Sequence, residues 1–214
     1  MPAIESLVKK ENIKNFLDEK NTDLFPLFRW IILSNRTHLI LAPKELKIKE
    51  LDSDITQYIM VSSNPEREAK FRMNKEKYGS FFAFHGSNGG NWHCILRNGL
   101  KNYSNSNKMS AGAAHGAGIY LAPQLGTSVG YMQPGVNTWE NSQHKSVYVM
   151  SLCEIANNRS KYKDCGWCLV VKDEDIITTR YLLVWESNNQ QKLTQNSYKD
   201  VSASSLTIPK MIKK

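Results

Sequence analysis

The spacing of apolar positions changes character near residue 80. Before it, Leu7, Val8, Ile13, Phe16 and Leu17 recur at roughly helical intervals, and a second apolar run continues from Leu24 to Leu33. Residues 4–34 therefore read as helical. HLILAP reads as a short strand that Pro43 ends, within a mixed stretch. The next helix is signalled at both ends: Asn64 can cap it, Pro65 suits its first turn and Gly79 suits its stop. After residue 80 come the β-like runs FFAFH, GIYLAP, SVYVMSLCEIA, CLVVK and IITTRYLLVW, separated by polar and glycine-rich loops. One short helix, NWHCILRNGL, falls between the first two, with Trp92, Ile95 and Leu96 on one face and Gly99 as its stop. KDED, between the last two runs, reads as a hairpin turn.

Helices followed by strands, with little helix between the strands, predict an α+β fold with a largely antiparallel sheet. The end, QNSYKDVSASSLTIPKMIKK, is polar and basic and reads as a mobile tail. The expected division is a mostly helical extension over 1–75, a catalytic domain over 76–190 and a polar, basic tail over 191–214.

Composition adds limits. A chain of 214 residues can bury one good core, and 41% hydrophobic with 22% charged residues is an ordinary globular balance. No apolar run is long enough to span a bilayer. The first twenty residues carry acids and lack an apolar core of the secretory type, so an intracellular, reducing compartment is expected, the cytoplasm first and the nucleus second. Four irregularly spaced cysteines (Cys94, Cys153, Cys165, Cys168) fit that compartment better than a disulfide framework. The net charge of +8 is dispersed over Lys9-Lys10, Lys44–Lys49, Lys70–Lys77 and Lys210–Lys214. Without aromatics interleaved in a long basic run, this reads as a solvated basic surface that does not require nucleic acid.

Three stretches carry candidate chemistry. In GAAHGAGIYLAP, Gly112, Gly116 and Gly118 run into a strand, whereas the dinucleotide-binding fingerprint runs from strand through glycines into a helix. A ligand-facing loop and a plain flexible loop fit this segment equally well. CGWC at Cys165–Cys168 has thiol-redox spacing, but redox motifs of that type open a helix, and Leu169-Val170-Val171 here reads as strand. A half zinc site and buried free thiols are its other readings; no common zinc spacing is met, so no metal is expected. The five histidines (His38, His85, His93, His115, His144) form no metalloprotease motif, and the chain has no nucleophile elbow or Walker loop. His85 differs by its company, because FFAFHGS ends a buried strand on histidine, glycine and serine.

Taken in order, FAFHGS, a helix ending in NGL, a glycine-bearing loop, GIYLAP, Ser128 and Tyr131 resemble the catalytic domain of the PARP-type ADP-ribosyltransferases. RWIILSNRTHL, KYGSFFAFHGS and NWHCILRNGL resemble its mono-ADP-ribosylating subgroup of members six and eight. The resemblance covers residues 28–187. It implies two packed, mainly antiparallel sheets with a cleft for NAD, the co-substrate. Gly86 would then offer its backbone to the nicotinamide carboxamide, where a missing Cβ permits close approach, and Ser128 would supply a hydroxyl to the same group. Tyr131 would stack on the nicotinamide ring and Tyr120 would wall its other side. His85 would bond the adenine-side ribose, with Ser87 beside it. Residues 101–117 would form the loop over the NAD, leading into Gly118, and Lys101 would lie near the pyrophosphate.

The resemblance also locates a departure. Polymer-forming members complete a His-Tyr-Glu triad. Counting back from Arg180-Tyr181-Leu182-Leu183, the glutamate's place falls on Cys168, and a slip of one residue gives Trp167 or Leu169. None is a carboxylate. A carboxylate stabilises the positive charge that develops on the ribose and prepares the acceptor hydroxyl for elongation. The motif His85-Tyr120-Cys168 therefore implies transfer of a single ADP-ribose to a protein side chain. The alternatives are an NAD-binding pseudoenzyme of the same fold and, through CGWC, a thiol oxidoreductase.

Overall fold

The computed structural model describes residues 2, 4–34, 37–51, 53–104, 106–107, 114–136, 146–186 and 201–209. Gly112, His144, the rest of the expected loop between 108 and 113, and most of the expected tail lie outside the described residues.

Three short helices, α1 (Ile4–Val8), α2 (Ile13–Asp18) and α3 (Leu24–Ser34), occupy the region of helical periodicity. β1 (His38–Leu41) is the strand of HLILAP, and β2 (Thr56–Ser62) follows it. Helix α4 (Pro65–Tyr78) begins where Asn64 accepts from the Glu66 and Arg67 N–H groups, and ends at Gly79 with a φ of 72°. The remaining elements are β3 (Ser80–Gly86), α5 (Trp92–Asn98), β4 (Ile119–Leu121), α6 (Leu125–Val129), β5 (Gly135–Val136), β6 (Ser146–Ala156), β7 (Tyr162–Asp164), β8 (Leu169–Val171) and β9 (Ile177–Glu186).

These strands build two antiparallel sheets. The larger runs β1-β2-β9-β6-β3, with β5 also paired to β6; the smaller runs β4-β8-β7. The α+β expectation holds. Strand β6 is buried almost throughout, because its two faces feed different clusters. Met150 and Leu152 pack with Phe84, Tyr181, Leu183 and Trp185. Cys153 and Ile155 pack with Ala83 of β3 and with Ile119, Leu121 and Val171 of the smaller sheet.

Several expectations are corrected. KDED is not a hairpin turn. β8 lies in the smaller sheet and β9 in the larger, and the connection is a 3-10 turn over Glu174–Ile176 with the Asp173 carboxylate accepting from the Asp175 N–H at 2.8 Å. The local hairpin is β7–β8, and its turn is CGWC. TQYIMVS, for which the sequence pattern gave no element, is strand β2, which pairs with β9 in the larger sheet. The expected boundary at residue 75 thus falls between strands of one sheet. The far end of the chain is not all loose tail: Ala203 and Leu206 are buried, the Leu125 N–H donates to Val201 O at 2.9 Å, and the Ala203 N–H donates to Pro123 O at 2.8 Å.

A charge network pins α4 to the sheet. Glu154 on β6 is nearly buried; it accepts from Ser80 Oγ at 2.6 Å and Arg180 Nε at 2.8 Å, and pairs with Lys75 Nζ at 2.5 Å. Arg180 reaches on to both oxygens of Glu68 on α4, at 3.1 and 3.2 Å. Burial alone would raise the Glu154 pKa, but bonds from Lys75, Ser80 and Arg180 reverse it and hold the carboxyl below its ordinary value. A carboxyl depressed in the folded state stabilises it fully above the unfolded pKa and loses that contribution as pH falls through the folded pKa. Glu154→Ala, which removes one of the two carboxylates on Arg180 and the acceptor of Ser80 Oγ, is expected to lower unfolding free energy by about 1–3 kcal/mol. In urea titrations at a series of pH values, Glu154→Gln is expected to flatten the acid-side decline. A Glu154→Ala variant as stable as the parent would contradict this role.

Candidate active site

Among the described residues, backbone hydrogen bonds join the two sheets at Phe84 and Ala122. The Phe84 N–H donates to Ala122 O at 2.8 Å, and the Ala122 N–H returns to Phe84 O at 2.9 Å. Backbone groups alternate sides along a strand, so those of Gly86, two residues on, point to the same side as those of Phe84, away from β6. Gly86 thereby presents one donor and one acceptor toward the smaller sheet. Its missing Cβ has a reason inside the protein as well. A Cβ there would stand 2.0 Å from Ser128 O and 3.2 Å from Met132 Cγ, so only glycine lets α6 close on the strand end. Ser128 is buried, and its Oγ donates to Phe84 O at 3.1 Å, which leaves its oxygen lone pairs as acceptors. Tyr131 follows α6, with its N–H donated to Ser128 O at 3.2 Å and its side chain 48% exposed.

His85 is half-buried between the sheets. Its Nδ1 lies 2.8 Å from Tyr120 O. A carbonyl only accepts, so Nδ1 carries the proton and Nε2 carries a lone pair in the neutral ring. Burial lowers the His85 pKa and the bond to Tyr120 O only partly offsets it, so the ring is neutral at ordinary pH. Trp92 meets the imidazole edge-on, with centroids 6.3 Å apart. Tyr120 in turn holds the loop ahead of it: its hydroxyl donates to Gly116 O at 2.8 Å and accepts from the His115 N–H at 2.9 Å. A second tie is the Gly118 N–H to Ser104 Oγ, 2.9 Å. A Cβ on Gly118 would stand 2.6 Å from Val170 Cγ1, so β4 enters the smaller sheet through a glycine.

Cys168 immediately precedes Leu169, which pairs with Leu121, while Val170 pairs with Tyr120. Period-two alternation puts Cys168 on the same face as Val170 and Tyr120. Its thiol is buried, and burial together with the adjacent Cys165 pushes its pKa up to about 11. His85, Tyr120 and Cys168 are thus gathered along one seam. Glu154 and Glu174, the glutamates nearest in sequence, are committed elsewhere.

Two expected site residues fall outside this group. Ser87 serves the turn into α5: its hydroxyl accepts from Asn91 Nδ2 at 3.0 Å and its carbonyl from Trp92 Nε1 at 3.4 Å. Lys101 is bound to Glu174 at 2.6 Å, and Glu174 also accepts from the Asn102 N–H at 2.8 Å. Lys101 therefore lines an open polar groove of about 400 Å³ with Arg67, Lys70, Arg97 and Glu174, away from His85. Its ammonium thus already faces an opposite charge. Sequence reasoning missed Trp92 as a wall of His85 and the edge-on contact of His115 with Trp167, 5.3 Å between centroids. Both residues of the second pair sat inside motifs already noticed, GAAHGAG and CGWC. Among the described residues no cluster of three or more metal-ligating side chains occurs, and no helix is long and apolar enough to cross a membrane.

Residues 44–165 match the poly(ADP-ribose) polymerase catalytic domain family. Two curated relatives are similar over most of the chain: the protein mono-ADP-ribosyltransferase PARP8 of Homo sapiens, 33% identical over 200 residues, and that of Mus musculus, 32% identical over 200 residues. Each comparison covers 81% of this chain and 23% of the relative, so the chain spans about a quarter of the relatives' length. With its two antiparallel sheets joined at Phe84–Ala122 and its match over residues 44–165, this chain belongs to the poly(ADP-ribose) polymerase catalytic domain family.

Proposed function

We propose that this chain is an NAD-dependent protein mono-ADP-ribosyltransferase, moving one ADP-ribose from NAD to a protein side chain with release of nicotinamide. The observation that carries the reading is the convergence of His85, the Gly86 backbone and Tyr120 on a seam whose third position, Cys168, is a buried neutral thiol. The working unit runs from β1 to β9, with α1–α3 as an extension. Four cysteines without a disulfide suit a reducing, cytoplasmic setting.

In this reading the Gly86 N–H and C=O take the carboxamide of nicotinamide as a pair. Ser128 Oγ, its proton given to Phe84 O, accepts from the carboxamide NH₂. The exposed ring of Tyr131 and the ring of Tyr120 flank the nicotinamide. His85 Nε2 accepts from a hydroxyl of the adenine-side ribose, which requires the neutral ring. Lys101 takes no part. Cleavage of the bond to nicotinamide builds positive charge on the ribose, and a thiol with a pKa of about 11 can neither stabilise that charge as an anion nor act as a base near neutral pH. The acceptor must bring its own nucleophile. Elongation stops after one unit because no carboxylate stands at the third position to receive the next ribose hydroxyl. A second reading, an NAD-binding pseudoenzyme, is favoured by that same missing carboxylate.

The two are separated by incubating the full chain with NAD labelled on its adenylate half and counting units per site by mass spectrometry. Single units on a discrete band are expected, lost in a His85→Ala, Tyr131→Ala double variant. A long polymer would contradict the assignment of Cys168, and binding without any label would favour the pseudoenzyme. His85→Ala alone is expected to weaken NAD binding about tenfold by calorimetry, the worth of roughly one lost hydrogen bond with its ordering. Gly86→Ala drives a Cβ into the Ser128 backbone, and an overpacked change of this kind costs about 1–3 kcal/mol. A lowered melting temperature together with weakened NAD binding is expected, and an unchanged protein would contradict the close approach of α6.

A further inference from the structure

Of the CGWC turn, only Cys168 enters the proposed transferase site. It closes the β7–β8 hairpin: Asp164 pairs with Leu169, so Cys165 and Cys168 are the next directly opposed pair. The Cys165 N–H donates to Cys168 O at 2.9 Å. The Cys165 thiol is near enough to help raise the Cys168 pKa. Gly166 takes the positive φ of 82° that the tight turn needs, and its N–H donates to Asp164 Oδ1 at 2.9 Å. Opposed residues of an antiparallel pair stand roughly 4.5–5.5 Å apart at Cα. That lies inside the range of about 4.4–6.8 Å that disulfides span. The other two cysteines are placed apart from this pair. Cys153 is buried in β6 against Ser151 and Thr179, and Cys94 is exposed on α5.

We propose that Cys165 and Cys168 are a redox-modification site, forming a reversible disulfide across the β7–β8 turn by exchange with an oxidised low-molecular-weight disulfide such as glutathione disulfide. The half-buried Cys165 is the entry point and Cys168, which is buried, is the resolving thiol. The Cys165 thiolate attacks one sulfur of the small disulfide, forming a mixed disulfide and expelling one small thiolate. Cys168 then gives up its proton and attacks Cys165 Sγ, closing the turn and expelling the second small thiolate. The two protein thiols lose two electrons, the small disulfide gains them, and the two released protons complete the two small thiols. The high pKa of Cys168 makes the second step depend on its permanent proximity to Cys165. This is not thioredoxin-type catalysis, since strand β8, not a helix, follows the motif.

The turn also touches the candidate active site. Trp167, between the two cysteines, meets His115 edge-on, and the His115 N–H is held by Tyr120. Closing the bond draws Cys168 toward Cys165 and resets Trp167 against the loop over the seam. This consequence rests on the transferase reading; the disulfide itself does not.

The test uses the reduced full chain equilibrated in glutathione buffers from reducing to oxidising, acid-quenched, alkylated and mapped by mass spectrometry. The expected result is a two-electron transition that removes two hydrogens and protects Cys165 and Cys168 together, while Cys94 stays alkylable. Cys165→Ser is expected to abolish it. The proposal is overturned if both thiols stay alkylable in the most oxidising buffer, or if a glutathione adduct persists on Cys165 without closure. In the same samples, labelling from NAD is expected to fall severalfold on oxidation and to recover with reductant. A disulfide that forms while labelling is absent in both states upholds the site and counts against the transferase reading instead.

Discussion

The architecture depends on the two hydrogen bonds between Phe84 and Ala122. They are the point where β3, the edge of the larger sheet, meets β4, the edge of the smaller one. Because β-strand groups alternate, that single crossing decides what the next residues do. It sends Gly86's backbone toward the smaller sheet and brings Tyr120 O within reach of His85. It also supplies, in Phe84 O, the acceptor that holds Ser128. The side chain of Phe84 is fully buried with Met150, Leu152 and Trp185, so the crossing is anchored in the main core. A ligand site built on such a crossing is formed before any ligand arrives, which lowers the ordering cost of binding.

A second constraint acts at a distance. The Glu68–Arg180–Glu154–Lys75 network ties α4 to β6 and β9. Its carboxylates, Glu68 and Glu154, are both partnered by cations of the scaffold. The chain thus keeps these acidic groups for structure. Lys101 shows the same economy in reverse, since Glu174 consumes the charge that a pyrophosphate would need.

Much of this was legible from local chemistry. Asn64, Pro65 and Gly79 announced α4 because capping is decided within four residues. FFAFHGS announced a strand ending at a polar site because a buried strand does not stop on histidine and glycine without cause. The count back from Arg180 ends on Cys168, the residue just ahead of β8. What escaped was non-local. Whether KDED joined two neighbours or crossed between sheets depended on the partners of β8 and β9, which periodicity does not encode. Lys101 and Glu174 are 73 positions apart, and no local signal predicts their bond. VSASSLTIP hid Ala203 and Leu206 among serines, so a segment that docks on the core read as tail.

The central claim is that NAD is held at the Phe84–Ala122 seam and not in the charged groove beside Lys101. A crystal structure of the chain with a non-cleavable NAD analogue tests it most directly. The account predicts the carboxamide against the Gly86 backbone, the ring between Tyr120 and Tyr131, and a ribose hydroxyl on His85 Nε2. An analogue bound instead among Arg67, Arg97 and Lys101, with the seam empty, would contradict it.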